Sequence, residues 1–222
     1  HAPDWVDRWH WNHTEYILLN RPETLIWLAN IGCLEFHVSF SCKGEETVNC
    51  LVFDLDPNHI DFPQVAEAAL IIREELKALG LEAFVKTSGA TGLQLFVPIQ
   101  PCSYETARKV NRFFAAYFES KYPHLFTTRR HVNKRGRRIY FDYLQMWRGK
   151  SLICAYSPRA REGAPVSVPL KWPELEAGIR PEQFHLKNAG DRLKREGDLF
   201  LPLAEHPGQS IEPIVHALKA FP

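Results

Sequence analysis

The sequence predicts an α+β fold whose core is one run of alternating strands and helices. Three observations lead to this prediction. The apolar run 51–56 has the length of a buried strand and is closed by Pro57. Two longer stretches, 62–79 and 104–121, carry apolar residues at helical spacing. A glycine-containing turn at 88–92 joins two further apolar runs, which is typical of paired strands.

The first half of this core is predicted to be a strand, a helix and a second strand. The first strand spans 51–56. The helix spans 62–79, with Asp61 as its N-cap and Gly80 as its C-cap. The second strand spans 82–87. The helical spacing rests on the apolar residues Val65, Ala69, Ile72, Leu76 and Leu79.

The second half is predicted to be a strand, a helix and a fourth strand. These elements span 93–98, 104–121 and 138–143, with a basic loop before the last strand. The apolar stripe of the helix is formed by Val110, Phe113, Phe114 and Tyr117. The resulting β-α-β-β-α-β order is the split βαβ arrangement of ferredoxin-like and RNA-recognition-motif folds. In that arrangement the first and fourth strands are neighbours.

Length and composition indicate a globular protein. The 222 residues are enough for one large domain, and the apolar fraction of 45% and charged fraction of 24% are ordinary. No stretch has the apolar length of a membrane span, and the start lacks the pattern of a signal peptide. We expect one domain over 1–222, with a catalytic palm at about 48–160 and a loop-rich, partly helical part at about 161–222.

The cysteines do not predict a metal site or a disulfide framework. No CxxC pair occurs, so a zinc ribbon is not expected, and the pattern fits a reducing cytosol. A site formed by His37, Cys42 and Cys50 is a minor alternative to ordinary buried thiols. The cysteines are Cys33, Cys42, Cys50, Cys102 and Cys154.

Two aspartates at the end of the first strand are the most informative residues. Asp54 and Asp56 share one face, because side chains alternate along a strand. Carboxylates on one face repel each other unless a cation lies between them, and a divalent metal meets that need. Asp142 would join them from the neighbouring fourth strand, and such a set suits two-metal nucleotidyl transfer. The simpler interpretation is a group of strand-end acids, solvated or paired with arginine.

The charge of the chain is uneven. Its net charge is only +1, yet many cations fall in the loop before the fourth strand. Such clusters are usually solvated loops, but they also suit phosphate binding. The cluster consists of Arg129, Arg130, His131, Lys134, Arg135, Arg137 and Arg138.

Several ordered stretches resemble one protein family. Beside 53–57 and 141–143, they are Ala2–Val6, Trp27–Asn30, Leu34–Val38, Thr87–Gly89, Gly92–Leu93, Ala155–Arg159 and Gly163–Ser167. Together they make the chain similar to the archaeo-eukaryotic primase superfamily, in particular to the polymerase domain of bacterial ATP-dependent DNA ligase D. The resemblance implies a catalytic palm of the primase type with additional α/β elements.

The resemblance also implies roles for individual residues. Asp54, Asp56 and Asp142 would be the catalytic carboxylates and would bind Mn²⁺ or Mg²⁺ in a two-metal site. The turn around Ser88 would offer backbone N–H groups to a triphosphate, although a simple hairpin turn is the preferred interpretation without the family. For His37 the alternative is a strand histidine bonded to the backbone. The nucleotide-binding residues would be His37, Ser88, Thr91, Arg135, Gln145, Lys150 and Arg159.

The sequence departs from the family pattern at two positions. Many relatives carry lysine and histidine where this chain has Thr91 and Gln94. Thr91 removes a cation that would contact phosphate, and Gln94 keeps a hydrogen bond but cannot become charged. Relatives also carry a further N-terminal segment with lysines that grip a 5′-phosphate, so we expect the chain to be a fragment of the family domain.

The resemblance implies a metal-dependent nucleotidyltransferase that adds nucleotides, with ribonucleotides preferred, to a primer 3′ end in non-homologous end joining. Its partners would be DNA ends or gapped duplexes, nucleoside triphosphates, and Ku and a ligase, with no membrane, in the cytoplasm at the nucleoid. Three alternatives stay open: a primase that starts RNA chains de novo, a catalytically weakened nucleic-acid-binding module, and a nuclease that uses the same carboxylates.

Overall fold

The computed structural model describes residues 2–220 as an α+β protein around a mixed sheet, as the sequence predicts. The strands are β1 (Arg8–Trp11), β2 (Thr14–Ile17), β3 (His37–Ser39), β4 (Thr47–Pro57), β5 (Phe84–Thr87), β6 (Leu93–Ser103), β7 (Phe126–Thr127), β8 (Ile139–Phe141), β9 (Ser151–Ile153) and β10 (Pro169–Leu170). The helices are α1 (Pro22–Asn30), α2 (Phe62–Ala78), α3 (Tyr104–Lys121), α4 (Trp172–Glu176), α5 (Leu186–Glu196), α6 (Leu201–Ala204) and α7 (Glu212–Ala220). Short 3₁₀ turns cover Val132–Lys134 and Pro181–Gln183.

The central sheet has the strand order β10-β5-β6-β4-β8-β7. Its neighbouring strands are antiparallel except β7 and β8, which are parallel. The four strands predicted from the sequence are β4, β5, β6 and β8. Because β4 lies between β6 and β8, the first and fourth of these strands are neighbours, as expected. Strands β10 and β7 extend the sheet at its two edges.

The predicted element boundaries hold best for the helices. Helix α3 covers the predicted range, and α2 ends one residue early, at Ala78. Asp61 occupies the N-cap position of α2 without a side-chain capping bond, and Gly80 follows the C-cap residue Leu79 with φ +73°. Strands β4 and β6 are longer than predicted, because their pairing continues past a register shift between Val48 and Cys50.

The fourth strand is shorter than predicted. It ends at Phe141, so Asp142 lies immediately after β8 rather than within it. A turn begins there, since the N–H of Leu144 donates to Oδ1 of Asp142 (3.0 Å). Aspartate favours such turns because its side chain bonds its own backbone two residues on. The N–H of Asp142 still bonds the carbonyl of Asp54 (3.0 Å), which keeps the residue beside β4.

An aromatic core fills the face of the sheet covered by α3. The ring of Phe53 on β4 lies 5.3 Å from that of Phe114 and 5.1 Å from that of Phe141, between centroids. Phe118 completes the group and is fully buried. The predicted stripe of α3 is wrong for Phe113, which is 38% exposed. The buried positions recur three or four residues apart, and the buried face passes through 110, 114 and 118 rather than 113.

Smaller elements surround this core. Strands β1 and β2 form a hairpin, and β3 pairs with β9, which places His37 opposite Ile153. The last third of the chain, predicted to be loop-rich and partly helical, contains β10 and helices α4 to α7 within the described residues. No described helix combines the length and the apolar composition needed to cross a membrane.

We expect the two adjacent phenylalanines of α3 to differ strongly in their contribution to stability. Phe114→Ala removes a buried ring and should lower the free energy of unfolding by about 3–5 kcal/mol. Phe113→Ala is the matched control and should cost clearly less, because its ring is partly solvated. Urea titration followed by circular dichroism measures both. Equal losses would contradict the orientation of α3.

Candidate active site

Three aspartates lie on the face of the sheet opposite the aromatic core. Asp56 is the register partner of Tyr140 on β8, and Asp142 bonds the backbone of Asp54. Residues directly opposite each other on paired strands point to the same side, and so do residues two apart on one strand. Asp54, Asp56 and Asp142 therefore share one face, which includes Gln94 because Gln94 is the partner of Asp54 on β6.

The buried position of Asp54 disfavours the ionised form of its carboxyl group. Burial, together with the negative charges of Asp142 and Asp56, raises its pKa to about 6. A hydrogen bond from Nε2 of Gln94 to Oδ1 (3.1 Å) and the positive charge of Lys86 oppose the rise. A positive ligand at this face would relieve both the desolvation and the repulsion.

Asp56 is neutralised by an arginine. Nη1 of Arg135 donates to Oδ2 of Asp56 (2.6 Å), and Nη2 donates to the carbonyl of Arg130 (3.0 Å). The guanidinium carbon lies 4.0 Å from the ring centroid of Tyr140, and Arg135 is only 8% exposed. Arg135, predicted to contact a triphosphate, is thus a partner of a predicted metal ligand in this structure.

Asp142 is held by its own strand and turn. Its Oδ1 accepts from the hydroxyl of Tyr140 (3.0 Å) and from the N–H of Leu144 (3.0 Å). Across residues 2–220, no three His, Cys, Asp or Glu side chains are gathered closely enough to hold one metal ion. The donor chemistry of the three aspartates nevertheless fits Mg²⁺ or Mn²⁺, which favour carboxylate oxygens. Arg135 engages only Oδ2 of Asp56, so Oδ1 of this exposed carboxylate is the oxygen that can serve as a metal ligand without loss of the ion pair.

The turn between β5 and β6 is contacted by Arg159, which lies in the segment between β9 and β10. Nη1 of Arg159 donates to the carbonyl of Ser88 (3.1 Å). Gly89 has φ +68°, and a Cβ there would lie 2.8 Å from Cγ of Arg159, so the close approach requires glycine. Oγ of Ser88 accepts from the N–H groups of Ala90 (3.2 Å) and Gly92 (3.1 Å). Two of the turn's N–H groups, which were expected as a set to face a triphosphate, therefore bond within the turn.

Glu35 connects two of the predicted nucleotide-binding residues, and the sequence analysis did not assign it. Its Oε2 lies 3.2 Å from Nε2 of His37, and its Oε1 forms an ion pair with Nε of Arg159 (3.2 Å). The N–H of Ala160 donates to Oε1 (2.8 Å). This backbone bond makes the largest contribution to lowering the pKa of Glu35 to about 2, and the contacts with His37 and Arg159 add to it. Its position in the family-like stretch 34–38 was the available signal.

The remaining predicted nucleotide-binding residues lie in turns and loops. Thr91 is exposed at the tip of the β5–β6 turn. Gln145 donates from Nε2 to the carbonyl of Ser151 (2.7 Å), which ties the loop after β8 to β9. Lys150 is exposed at the end of the same loop. Arg135 and Arg159 were both expected to bind the nucleotide, but Arg135 contacts Asp56 and Arg159 contacts the Ser88 turn.

Lys86 is a second residue that the sequence analysis missed. It lies on β5, is 1% exposed, and is the register partner of Gln94. A row of polar side chains therefore crosses the sheet from Lys86 through Gln94 and Asp54 to Asp142. Burial lowers the pKa of Lys86 to about 7, and the charge of Asp54 opposes this fall. A lysine between Val85 and Thr87 in an apolar strand was the sequence signal.

Part of the basic loop forms a cleft of about 330 Å³. The cleft adjoins Arg135 through the carbonyl of Arg130, which Arg135 bonds. Glu119 at its wall is held by the side chains of Thr127 (3.2 Å) and Thr128 (2.6 Å). The cleft is lined by Glu119, Thr128, Arg129, Arg130, His131 and Lys134.

Comparison with known sequences identifies one family. The family described as LigD, primase-polymerase domain, matches residues 1–200. The bifunctional non-homologous end joining protein LigD of Bacillus subtilis is 35% identical over 223 aligned positions, which cover 99% of this chain and 36% of that protein. The multifunctional LigD of Mycolicibacterium smegmatis is 34% identical over 91% of this chain and 28% of that protein. The chain thus spans about a third of these relatives or less.

A solved structure has the same fold. The polymerase domain of Mycobacterium tuberculosis Ligase D, in complex with DNA, superposes with a TM-score of 0.83 at 31% identity. The match covers 93% of this chain and 77% of that one. The α+β arrangement with its mixed sheet is therefore that of a LigD polymerase domain.

The low pKa of Glu35 predicts a pH-dependent contribution to stability. A carboxyl whose pKa falls from 4.5 to about 2 on folding stabilises the protein fully above pH 4.5. This contribution is lost as the pH falls through about 2. We expect Glu35→Gln to lower the free energy of unfolding at pH 7, and the gap from the unchanged protein to narrow below pH 4.5.

Denaturant titrations between pH 7 and pH 3 measure that gap. Glu45→Gln, at an exposed position before β4, is the control and should follow the unchanged protein at every pH. A gap for Glu35→Gln that stays constant with pH would contradict the assigned contacts.

Proposed function

The chain belongs to the LigD primase-polymerase domain family, and from this membership we propose that it is a metal-dependent nucleotidyltransferase. It adds nucleotides, ribonucleotides by preference, to a primer 3′ end at a DNA break or gap in end joining. The observation that supports this proposal most directly is the placement of Asp54 and Asp56 on one face of β4, with Asp142 beside them at the end of β8.

The three aspartates would hold one or two Mg²⁺ or Mn²⁺ ions. Bound there, such ions favour deprotonation of the primer 3′-hydroxyl and neutralise charge on the phosphates. The neighbouring side chains fix the carboxylates. Gln94 orients Asp54 through its amide, and Tyr140 and Leu144 hold one oxygen of Asp142. This preorganisation lowers the cost of gathering the acids when the substrate binds.

The reaction is a transfer of the nucleotidyl group. The primer 3′-oxygen attacks the α-phosphorus in line, one P–O bond forms, and the bond to the leaving pyrophosphate breaks. The protein contributes positioning and charge neutralisation rather than a covalent intermediate.

The triphosphate is proposed to lie toward the Ser88–Gly92 turn. Arg159 is fixed there by Ser88 and Glu35, and a guanidinium suits phosphate oxygens because its N–H groups form a planar fork. His37 lies beside the same part of the site, because its Nε2 contacts Glu35, the ion-pair partner of Arg159. Thr91, Gln145 and Lys150 would complete the nucleotide site from the surrounding turns.

Nucleic acid is the proposed second substrate. The related Mycobacterium tuberculosis domain was solved in complex with DNA. In this chain the cleft lined by Arg129, Arg130 and Lys134 offers cations beside Asp56 and Arg135. Cations of this kind bind the phosphate backbone without reading its sequence. We propose Ku and a ligase as protein partners, because the relatives that share this domain are end-joining proteins.

A labelled-primer experiment separates this proposal from its alternatives. Each ribonucleotide and deoxyribonucleotide is supplied with Mn²⁺ or Mg²⁺, with and without primer. An end-joining polymerase lengthens the primer, and a de novo primase forms products without one. A binding module does neither, and a nuclease shortens the labelled strand. Failure to lengthen the primer with either metal would overturn the proposal.

Removal of one carboxylate should abolish catalysis while sparing DNA binding. We expect Asp56→Ala to reduce the extension rate by more than ~100-fold, as is typical when a group that stabilises transition-state charge is lost. The affinity for a gapped duplex, measured by fluorescence anisotropy, should change little. Asp61→Ala, before α2, is the control and should retain full activity. An active Asp56→Ala protein would exclude the carboxylate mechanism.

Removal of Arg159 should weaken nucleotide binding. We expect Arg159→Ala to raise the KM for nucleotide by about 10-fold or more, because hydrogen bonds to charged groups contribute about 1.5–3 kcal/mol. The dissociation constant for duplex DNA should change less. Arg112→Ala is the control, since Arg112 is exposed on α3. Equal losses of nucleotide and duplex affinity would instead assign Arg159 to the DNA backbone.

A further inference from the structure

Lys86 is a buried cation on the functional face of the sheet. Its side chain is 1% exposed, and lysine is almost never fully buried unless its charge is paired. The register places it opposite Gln94, which lies opposite Asp54. None of the steps described above uses this residue, although burying an ammonium group is costly.

The ammonium group of Lys86 joins two segments of the chain. Its Nζ donates to Oγ of Ser167 (2.5 Å) and to the carbonyl of Thr87 (3.2 Å). The hydroxyl of Ser167 donates to the same carbonyl (2.7 Å). These three bonds form a closed group that fixes the segment before β10 against the end of β5. Thr87 immediately precedes the Ser88–Gly92 turn.

Ser167 in turn supports Arg159. The N–H of Ser167 donates to the carbonyl of Ser157 (2.9 Å), and the N–H of Arg159 donates to the carbonyl of Pro165 (2.8 Å). A Cβ on Gly89 would lie 3.0 Å from the N atom of Ser167 and 2.8 Å from Cγ of Arg159. Ser167 and Arg159 therefore both pack against the Ser88–Gly92 turn, so a shift of Ser167 would disturb the surface on which Arg159 lies.

The charges around Lys86 fit this arrangement. Burial disfavours its charged form most strongly, Asp54 favours that form, and Arg159 disfavours it. The ammonium thus lies between the acidic face and the arginine. An apolar side chain of the same length would fill the space but could not bond Ser167 and Thr87. The hydrogen bonds of Lys86 therefore contribute more than packing.

We propose that Lys86 is a positioning residue for nucleotide binding, which holds Ser167 against β5 and thereby fixes Arg159 over the Ser88–Gly92 turn. This inference rests on the proposed function, because the nucleotide is the ligand that Arg159 would meet. Lys86 itself does not touch the substrate. Its effect passes through Arg159, and this dependence makes the inference testable.

Four variants test the inference by steady-state extension kinetics and by titration with ATP and Mn²⁺ without primer. They are Lys86→Met, Ser167→Ala, Arg159→Ala, and Lys86→Met combined with Arg159→Ala. We expect Lys86→Met and Ser167→Ala each to raise the KM for ATP and weaken ATP binding by about 10-fold, with kcat changed by less than about 3-fold. In the Arg159→Ala background, Lys86→Met should add less than about 2-fold, because the arginine it positions is gone.

Lys77→Met is the matched control, since Lys77 is exposed on α2, and it should leave KM and kcat unchanged. If Lys86→Met does not fold, as judged by thermal melting, Ser167→Ala and its combination with Arg159→Ala decide the question. Additive effects in the Arg159→Ala background, or a fall in kcat at constant KM, would overturn the inference. An unchanged protein that neither binds ATP nor extends a primer overturns the proposed function itself, and the inference with it.

Discussion

The antiparallel pairing of β4 with β8 is the interaction on which the candidate site depends. It places the backbone of Asp142 against that of Asp54, and it aligns Asp56 with Tyr140. On the opposite face the same two strands bring the ring of Phe53 within 5.1 Å of that of Phe141. A register shift of one residue would turn the apolar rings to the acidic face and the acids into the core. The aromatic core therefore holds the carboxylates in place.

Three acids on one face repel each other, and each of the three carboxylates is stabilised by different partners. Asp56 has an arginine, and Asp142 accepts from a hydroxyl and a backbone N–H. Asp54 receives only a neutral amide donor, and burial together with its acidic neighbours raises its pKa to about 6. A bound cation would therefore stabilise the ionised form of Asp54. Gln94 is compatible with such a cation, because it orients the carboxylate without adding a positive charge that would compete with a metal ion.

The phosphate side of the site is assembled from segments far apart in the chain. Glu35 precedes β3, Ser88 follows β5, and Arg159 and Ser167 lie between β9 and β10. Each of these loops is tied to another by a side chain: Glu35 to Arg159, Arg159 to the carbonyl of Ser88, and Lys86 to Ser167. A rigid sheet edge that positions loops in this way is a common basis for binding sites. Precision in this part of the site therefore comes from polar contacts rather than from regular secondary structure.

The sequence by itself determined the α+β class, the succession of the four central strands along the chain, the range of α3 and the shared face of Asp54 and Asp56. These features follow from local periodicity, which depends only on neighbouring residues. The exposure of Phe113 depends on which face of α3 packs against the sheet. The end of β8 at Phe141 depends on the turn that the Asp142 side chain forms. Only the tertiary structure decided the partners of the site residues. Arg135 pairs with Asp56, Glu35 pairs with Arg159, and the buried Lys86 bonds Ser167. Each of these contacts joins residues dozens of positions apart, and no local pattern encodes them.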